Sequence, residues 1–316
     1  MRNTRQARSK TGEIKVFDPA ATTGMPRAGW TPLADCGSWR GARRNAERLA
    51  QAGAPSPRAL EEADFSSKAG AKFLAPLLFA GALDHRTIAD VISWIDDEAA
   101  DKRRVGDILT TNTDAPEPDR KAALTAAGAV WNADDRLRSS LYMTAAVALD
   151  AYADPAVIAC SRDADLTPDW LLDGQRRTAY LCAPQDEQQR LRPLFVTLIA
   201  SVLSEVYQRA TATGKPLDPP LLVVLDEVAN IAPLPDLDAL ASTAAGQGIQ
   251  LITVIQDLAQ LRARWGDRAA TIANNHRAKI IGGGISDTDS CAGPCRCAFW
   301  TRGSSRWGCA ASGTAS

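Results

Sequence analysis

Two carboxylates, Asp226 and Glu227, follow directly on the apolar run Leu221-Leu222-Val223-Val224-Leu225. A short continuous apolar run of this kind reads as a buried strand of a parallel sheet. Ligands of open α/β sheets gather outside the carboxyl ends of such strands. An aspartate placed there can hold Mg²⁺, commonly through water, and a following glutamate can polarise an attacking water, as in nucleoside triphosphatases of the P-loop class. The pattern alone leaves another reading open, in which the two acids simply end a strand where the chain meets solvent.

A second apolar run, Ile249 to Ile255, ends in Gln256-Asp257. Gln256 beside Asp226 and Glu227 would be placed to sense a γ-phosphate. Equally, Gln256 can be a polar residue at a helix start, with Asp257 as the cap.

Positioning these groups takes alternating strands and helices, and the second half of the chain reads that way. After Pro155 the pattern predicts a strand over Thr178 to Cys182, a helix over Glu187 to Gln208, a strand over Leu221 to Leu225 and a helix over Asp236 to Ala245. A strand over Ile249 to Ile255, a helix over Asp257 to Trp265 and a last strand over Ala278 to Ile281 complete it. Apolar strands alternating with helices signal a parallel sheet covered on both faces. Nearer the start, Ile14 to Phe17, closed by Asp18-Pro19, reads as a strand, and Trp39 to Ala52 as a helix stopped by Gly53 and Pro55. Between Arg58 and Tyr152, apolar residues such as Phe73, Leu74, Leu77, Leu78, Ile88, Val91 and Ile95 recur at helical spacing. That stretch reads as an all-α unit, with Trp94 and Trp131 packing between its helices. The expected organisation is 1–57 and 153–289 as the two parts of an α/β core, 58–152 as an all-α insertion, and 290–316 as a tail.

Composition narrows the chemistry. The 316 residues are 45% hydrophobic and 23% charged, which suits a sizeable core in about two domains. Lys and Arg number 36 against 37 Asp and Glu, so the whole chain is not a polycation that holds DNA by charge alone. The arm carrying Arg2, Arg5, Arg8 and Lys10 lacks interleaved aromatics and reads as a solvated terminus, and Arg262, Arg264 and Arg268 as a helix face. His85 and His276 are the only histidines, which excludes a His-rich metal site. No signal segment opens the chain, so Cys36, Cys160 and Cys182 read as reduced thiols. The longest apolar run, Pro193 to Ser204, is shorter than the roughly 20 residues a spanning helix needs, and the chain reads as soluble and cytoplasmic.

Taken together, Leu221 to Leu237, Ser242-Thr243 to Gly248-Ile249, Gln256 to Gln260 and Arg264-Trp265-Gly266 resemble the Walker B region and the motif after it in TraG/TraD-like coupling proteins of type IV secretion. Val16-Phe17-Asp18-Pro19, Trp30-Thr31-Pro32-Leu33 and Cys36 resemble the segment that follows the nucleotide loop in that family, and Phe73 to Trp94 its all-α domain. The resemblance implies a RecA-like P-loop NTPase core with an inserted all-α domain. It also implies a conjugative ATPase that assembles as a homo-hexamer at the cytoplasmic face of the membrane. Its partners would be relaxase or a relaxosome accessory protein, single-stranded DNA and the secretion channel, and its cofactors ATP and Mg²⁺. Asp226 would then hold Mg²⁺ through water, Glu227 would activate water, and Gln256 would sense the γ-phosphate.

Three features depart from the family pattern. No G-x-x-x-x-G-K-S/T loop occurs: Ser9-Lys10-Thr11 lacks the glycines and Gly214-Lys215 runs into Pro216. Backbone N–H groups and a lysine for the β- and γ-phosphates are therefore missing, and the reading is of a segment without the loop and membrane anchor that does not bind ATP tightly by itself. Gln247 stands where many relatives carry arginine, and a turn residue serves that spot equally well. After Asp289 the residues turn to Cys, Gly, Ser, Arg and Trp, including Cys291, Cys295, Cys297 and Cys309 at spacings unlike a zinc site. A shifted reading frame in GC-rich DNA yields such a composition, and the tail is expected to be disordered. Two alternatives stay open: a non-catalytic module that binds relaxase or an accessory protein, and a related DNA-packaging or partition ATPase.

Overall fold

The computed structural model describes the backbone of residues 2–52, 57–281, 297–299 and 308–309. In chain order the first elements are helix α1 (Arg2–Arg8), strand β1 (Glu13–Phe17), α2 (Trp39–Ala52), α3 (Pro57–Leu83), α4 (Ile88–Asp96), α5 (Glu98–Thr111), α6 (Glu117–Trp131) and α7 (Asp135–Ala148). They are followed by α8 (Pro155–Cys160), α9 (Pro168–Leu171), β2 (Arg177–Leu181), α10 (Gln188–Thr213), β3 (Leu221–Leu225), α11 (Val228–Ile231) and α12 (Leu237–Thr243). The last are β4 (Ile249–Thr253), α13 (Leu258–Trp265), α14 (Arg268–Asn275), β5 (Lys279–Ile281), β6 (Cys297–Phe299) and β7 (Gly308–Cys309). Most boundaries lie within two residues of the sequence reading. The exceptions are α1, where the sequence suggested a solvated arm, the short helices α8, α9, α11 and α14, which it did not indicate, and α10, which runs five residues further until Gly214, at φ +65°, ends it.

Local side chains set the helix starts. Thr87 and Asp90 form a reciprocal capping box at α4, and Asp97, Asp134, Asp154, Thr167 and Asp257 each accept a backbone N–H at the start of α5, α7, α8, α9 and α13. The all-α stretch folds around Phe73, Leu74, Leu77, Leu78, Val91 and Trp94, all buried. Its core continues without a break into α2 and the N-terminal half of α10, so the cluster crosses the expected boundaries at 57 and 152. Phe17 ties β1 into that cluster by edge contacts with Trp30 (6.1 Å) and Phe195 (5.7 Å). Cys36 lies in the same core, and burial pushes its thiol up to about 12, so it stays protonated and inert.

The strands pair in short ladders. β1 lies parallel to β2 (Glu13↔Arg177 to Phe17↔Leu181), and β3 parallel to β4 (Leu221↔Ile249 to Leu225↔Thr253). β5 runs parallel to β6 and β6 antiparallel to β7. Thus Cys297–Phe299 and Gly308–Cys309 are extended and paired, and the rest of the expected disordered tail lies outside the described residues. The expectation of a sheet covered on both faces needs correction for β3 and β4. One face, with Leu221, Val223, Leu225, Ile249 and Leu251, packs on Val196, Leu203 and Val206 of α10 and on Leu237, Leu240, Leu261, Trp265 and Ile272. The other carries Leu222 and Val224 at 55% exposure, Ile252 at 48% and Val254 at 44%. Helices α10, α11, α12, α13 and α14 all contribute to the cluster under the first face, and among the described residues the second face stays exposed.

The all-α stretch also buries an acid. Asp101 on α5 is fully buried and accepts hydrogen bonds from Tyr142 Oη on α7 and, at 2.9 Å, from Trp131 Nε1 on α6, while its Oδ1 has no partner among the described residues. Burial raises its carboxyl to about 6, against the smaller opposing effects of the Tyr142 and Trp131 hydrogen bonds. An acid raised in this way contributes stability that is complete below its unfolded value, near 4, and is lost as pH rises through 6. Asp101→Asn is therefore expected to raise stability at pH 7–8 by up to about 3 kcal/mol and to lose that advantage by pH 4, read as denaturant midpoints across the range.

Candidate functional site

The approach to β4 is set by a glycine. The turn Ala244–Gln247 ends in Gly248 at φ +81°, and a Cβ there would lie 2.4 Å from the Leu217 carbonyl oxygen and 2.5 Å from its nitrogen. Leu217 N–H donates to Gln247 O and Leu221 N–H to Gly248 O, so this one turn aligns the entries of β3 and β4. Gln247 thus serves as a turn residue.

At the other end both strands finish at one edge. Val254 N–H donates to Leu225 O (2.9 Å) and Val228 N–H to Val254 O (3.3 Å), so the chain leaving β3 wraps over the end of β4. Asp226 and Glu227 make the turn between, with Asp226 exposed and Glu227 half-buried at φ +50°. The left-handed backbone costs a non-glycine residue on the order of 1 kcal/mol or more and re-aims the Glu227 side chain. Gln188 Nε2, at the start of α10, meets Glu227 Oε2 at 3.1 Å.

Gln256 follows at the same edge with its side chain exposed, and its backbone N–H donates to Gln260 Oε1 (3.2 Å). Asp257 caps α13 through Gln260 N–H (2.6 Å), which is the capping role the sequence allowed. A polar belt continues behind the edge. Gln260 Nε2 approaches Asn230 Oδ1 (3.5 Å), and Arg192 Nε donates to Asn230 O (3.1 Å). Arg264 lies close enough to Arg192 to feel its charge. Burial first and then that charge lower Arg264 to about 10, leaving it cationic at neutral pH. Thr253, the last residue of β4, is held by His276 Nε2 (3.0 Å), whose Nδ1 meets Ile272 O at 2.8 Å. A carbonyl only accepts, so Nδ1 carries a proton and donates to Ile272 O.

The three residues singled out from the sequence therefore share one edge. Gln188, Arg192, Asn230 and Arg264 were not legible as part of it, because Gln188 and Arg192 lie more than thirty residues upstream of Glu227. A signal existed: Gln188 and Arg192 are polar at i, i+4 on a helix otherwise rich in apolar residues. Of the basic helix residues, Arg268 braces α14 against Pro235 O (2.8 Å) and Asp238 (3.3 Å). An exposed aspartate with a neighbouring glutamate is an all-oxygen donor set that suits a hydrated Mg²⁺. For phosphates the edge offers cations and amides, and among the described residues no glycine-rich backbone cradle.

Residues 220–291 match the family model described as the TraM recognition site of TraD and TraG. In fold the chain is similar to the plasmid coupling protein TrwB in complex with the GTP analogue GDPNP, with 18% identity over 84% of this chain and 57% of that one and a TM-score of 0.59. It is likewise similar to the bacterial conjugative coupling protein TrwBdeltaN70 in an unbound form (17%, 84% and 57%, TM-score 0.60) and to TrwB with ADP and Mg²⁺ (17%, 87% and 64%, TM-score 0.58). At these identities the likeness carries the fold, a RecA-like core with an all-α domain. The chain spans 57% of the length of the first two. No curated protein sequence matches it. Among the described residues no helix is long and apolar enough to cross a membrane.

The turn that aligns the strands gives a direct test of what holds the edge together. Gly248→Ala is expected to destabilise the protein by about 2 kcal/mol or more, through strain at positive φ and the clash with Leu217. A thermal melt equal to that of the parent would show that the turn is not under this constraint.

Proposed function

We propose that the chain belongs to the TraG/TraD-like type IV coupling protein family and carries the Walker B half of a conjugative DNA-translocating motor, a reading supported by the family match over residues 220–291 and by the fold it shares with TrwB. In this reading Asp226 holds a hydrated Mg²⁺, Glu227 orients and deprotonates the attacking water, and Gln256 senses the γ-phosphate. The observation that carries it is the shared edge: the β3–β4 register brings the Asp226-Glu227 turn beside Val254 and Gln256 through two backbone hydrogen bonds. Gln188, bonded to Glu227, restrains the carboxylate that would serve as base. Bound nucleotide would supply the phosphoanhydride to be cleaved.

The missing loop limits the chain taken alone. Without backbone N–H groups to cradle the phosphates, Arg192 and Arg264 are two positive charges near the edge among the described residues, and Arg192 donates to Asn230 O. Titration of the 316-residue chain with Mg²⁺ and a non-hydrolysable ATP analogue is expected to give a Kd weaker than about 1 mM, since tight NTP binding rests on that cradle. Tight binding that Asp226→Ala abolishes would overturn the deficiency while supporting the assignment of the edge. Tight binding that Asp226→Ala leaves intact would sink the assignment.

The partners follow the family: relaxase-bound single-stranded DNA, the secretion channel, and a relaxosome accessory protein that engages the region containing residues 220–291. A second reading, a non-catalytic docking module, is favoured by α7, which exposes Leu137, Met143 and Val147 at 46%, 70% and 56% on the all-α stretch. Met143→Asp is expected to weaken capture of the cognate relaxase or accessory protein by the full chain about tenfold or more while leaving its melting temperature unchanged. Capture unaffected by this change and lost with Asp238→Arg would place docking on the 220–291 region instead.

A further inference from the structure

A cleft of 590 Å³ opens between α2 and the C-terminal half of α10, lined by Arg44, Ser204, Tyr207, Gln208 and Thr211. It continues into a narrower space of 180 Å³ reaching Arg48, Asn45 and Asp35. About twenty residues of α10 separate Gln208 from Gln188, roughly 30 Å at 1.5 Å per residue, so this cleft lies at the opposite end of the helix from the Asp226-Glu227 edge.

Two guanidiniums meet here. Arg44 and Arg48 stand at i, i+4 on α2, a spacing at which like charges oppose helix formation. Arg48 is engaged: Nη1 donates to Asn45 Oδ1 (3.0 Å) and Nη2 to Ser204 Oγ. Arg44 is not, and its Nε is buried without a hydrogen-bond partner among the described residues. Burial first and then the charge of Arg44 lower the Arg48 pKa, against smaller opposing effects of Asp35 and Glu47, so the two cations are close. Three carboxylates stand nearby: Asp35, which accepts from Ser201 Oγ and whose charge also reaches Arg48, Glu205, which pairs with Arg209 at 2.8 Å, and Glu47, 3.8 Å from Arg43. A buried guanidinium N–H without an acceptor is costly, and none of these carboxylates accepts from Arg44 Nε.

We propose that this cleft is an anion site for a phosphate group, distinct from the nucleotide edge, with Arg44 as its principal ligand and the Gln208 amide and Thr211 hydroxyl completing the donor set. Tetrahedral oxyanions match guanidinium forks and hydroxyl donors. The Tyr207 ring, fixed by a 2.7 Å hydrogen bond between its hydroxyl and Thr243 Oγ1, forms a flat wall beside the phosphate position. That wall suits the base or sugar of a nucleotide. The phosphate can come free or from the backbone of a single-stranded nucleic acid, and the test separates these sources.

Binding to the 316-residue chain is measured with inorganic phosphate and, separately, with a twelve-residue oligothymidylate, each against Arg44→Gln and Arg44→Lys. Arg44→Gln is expected to weaken binding about tenfold or more, with Arg44→Lys retaining part of the affinity, while the ligand-free melting temperature of Arg44→Gln equals or exceeds that of the parent. Loss confined to phosphate assigns the site to a free anion. Loss for the oligonucleotide, with a shallower salt dependence, assigns it to a phosphodiester. The same losses in an Asp226→Ala background separate this cleft from the strand edge. Affinities unchanged by Arg44→Gln, or no binding of either probe by the parent, would overturn the proposal, whatever the fate of the nucleotide reading.

Discussion

Five residue pairs between β3 and β4, from Leu221↔Ile249 to Leu225↔Thr253, carry the geometry on which the candidate edge depends. A parallel pair cannot be closed by a tight hairpin, so its register must be imposed from the connection. Here it is imposed at both ends. Gly248 presses its backbone against Leu217 where the strands begin, and where they finish Val254 N–H donates to Leu225 O and Val228 N–H to Val254 O. A slip of one residue would turn the apolar faces over and carry Glu227 away from Gln188.

Around that ladder the protein concentrates its polar groups asymmetrically. The carboxylates, the amides of Gln188, Asn230 and Gln260, and the arginines Arg192 and Arg264 gather at one end of α10. Arg44 and Arg48 gather towards the other. The helix between is apolar, with Val196, Leu203 and Val206 against the sheet and Leu194, Phe195 and Leu198 against the all-α core. α10 therefore joins the two hydrophobic clusters and fixes the separation of the two polar regions.

Much of this was legible in the sequence. Strand ends at Leu225 and near Thr253, the helical stretch after Arg58, and the sharing of one edge by Asp226, Glu227 and Gln256 follow from apolar runs and from the polar residues that end them. Asp257 was legible as a cap because a short acid before an apolar helix has few other uses. The exposed face of β3 and β4 was not legible. Leu222, Val224, Ile252 and Val254 are as apolar as the residues facing α10, and an unbroken apolar run carries no alternation to say which side is covered. Nor was the single core spanning α2, α3 and α10, because the packing of α2 against the all-α stretch pairs surfaces whose separation in sequence differs at every contact.

What the sequence by itself determined is local: the order and type of the elements, the caps, the two acids after a buried strand, and the lack of a phosphate-cradling loop. These depend on neighbours a few residues apart, where periodicity and backbone chemistry decide. Only the tertiary structure decided which distant groups meet, including Gln188 with Glu227, Arg192 with Asn230 and Arg264, and Tyr142 and Trp131 with a buried Asp101. It also decided that Arg44 Nε is left beside a cleft without an acceptor among the described residues. Such encounters are set by how helices pack across the chain, and their energies come from burial and shared charge, neither of which is a property of any one stretch of sequence.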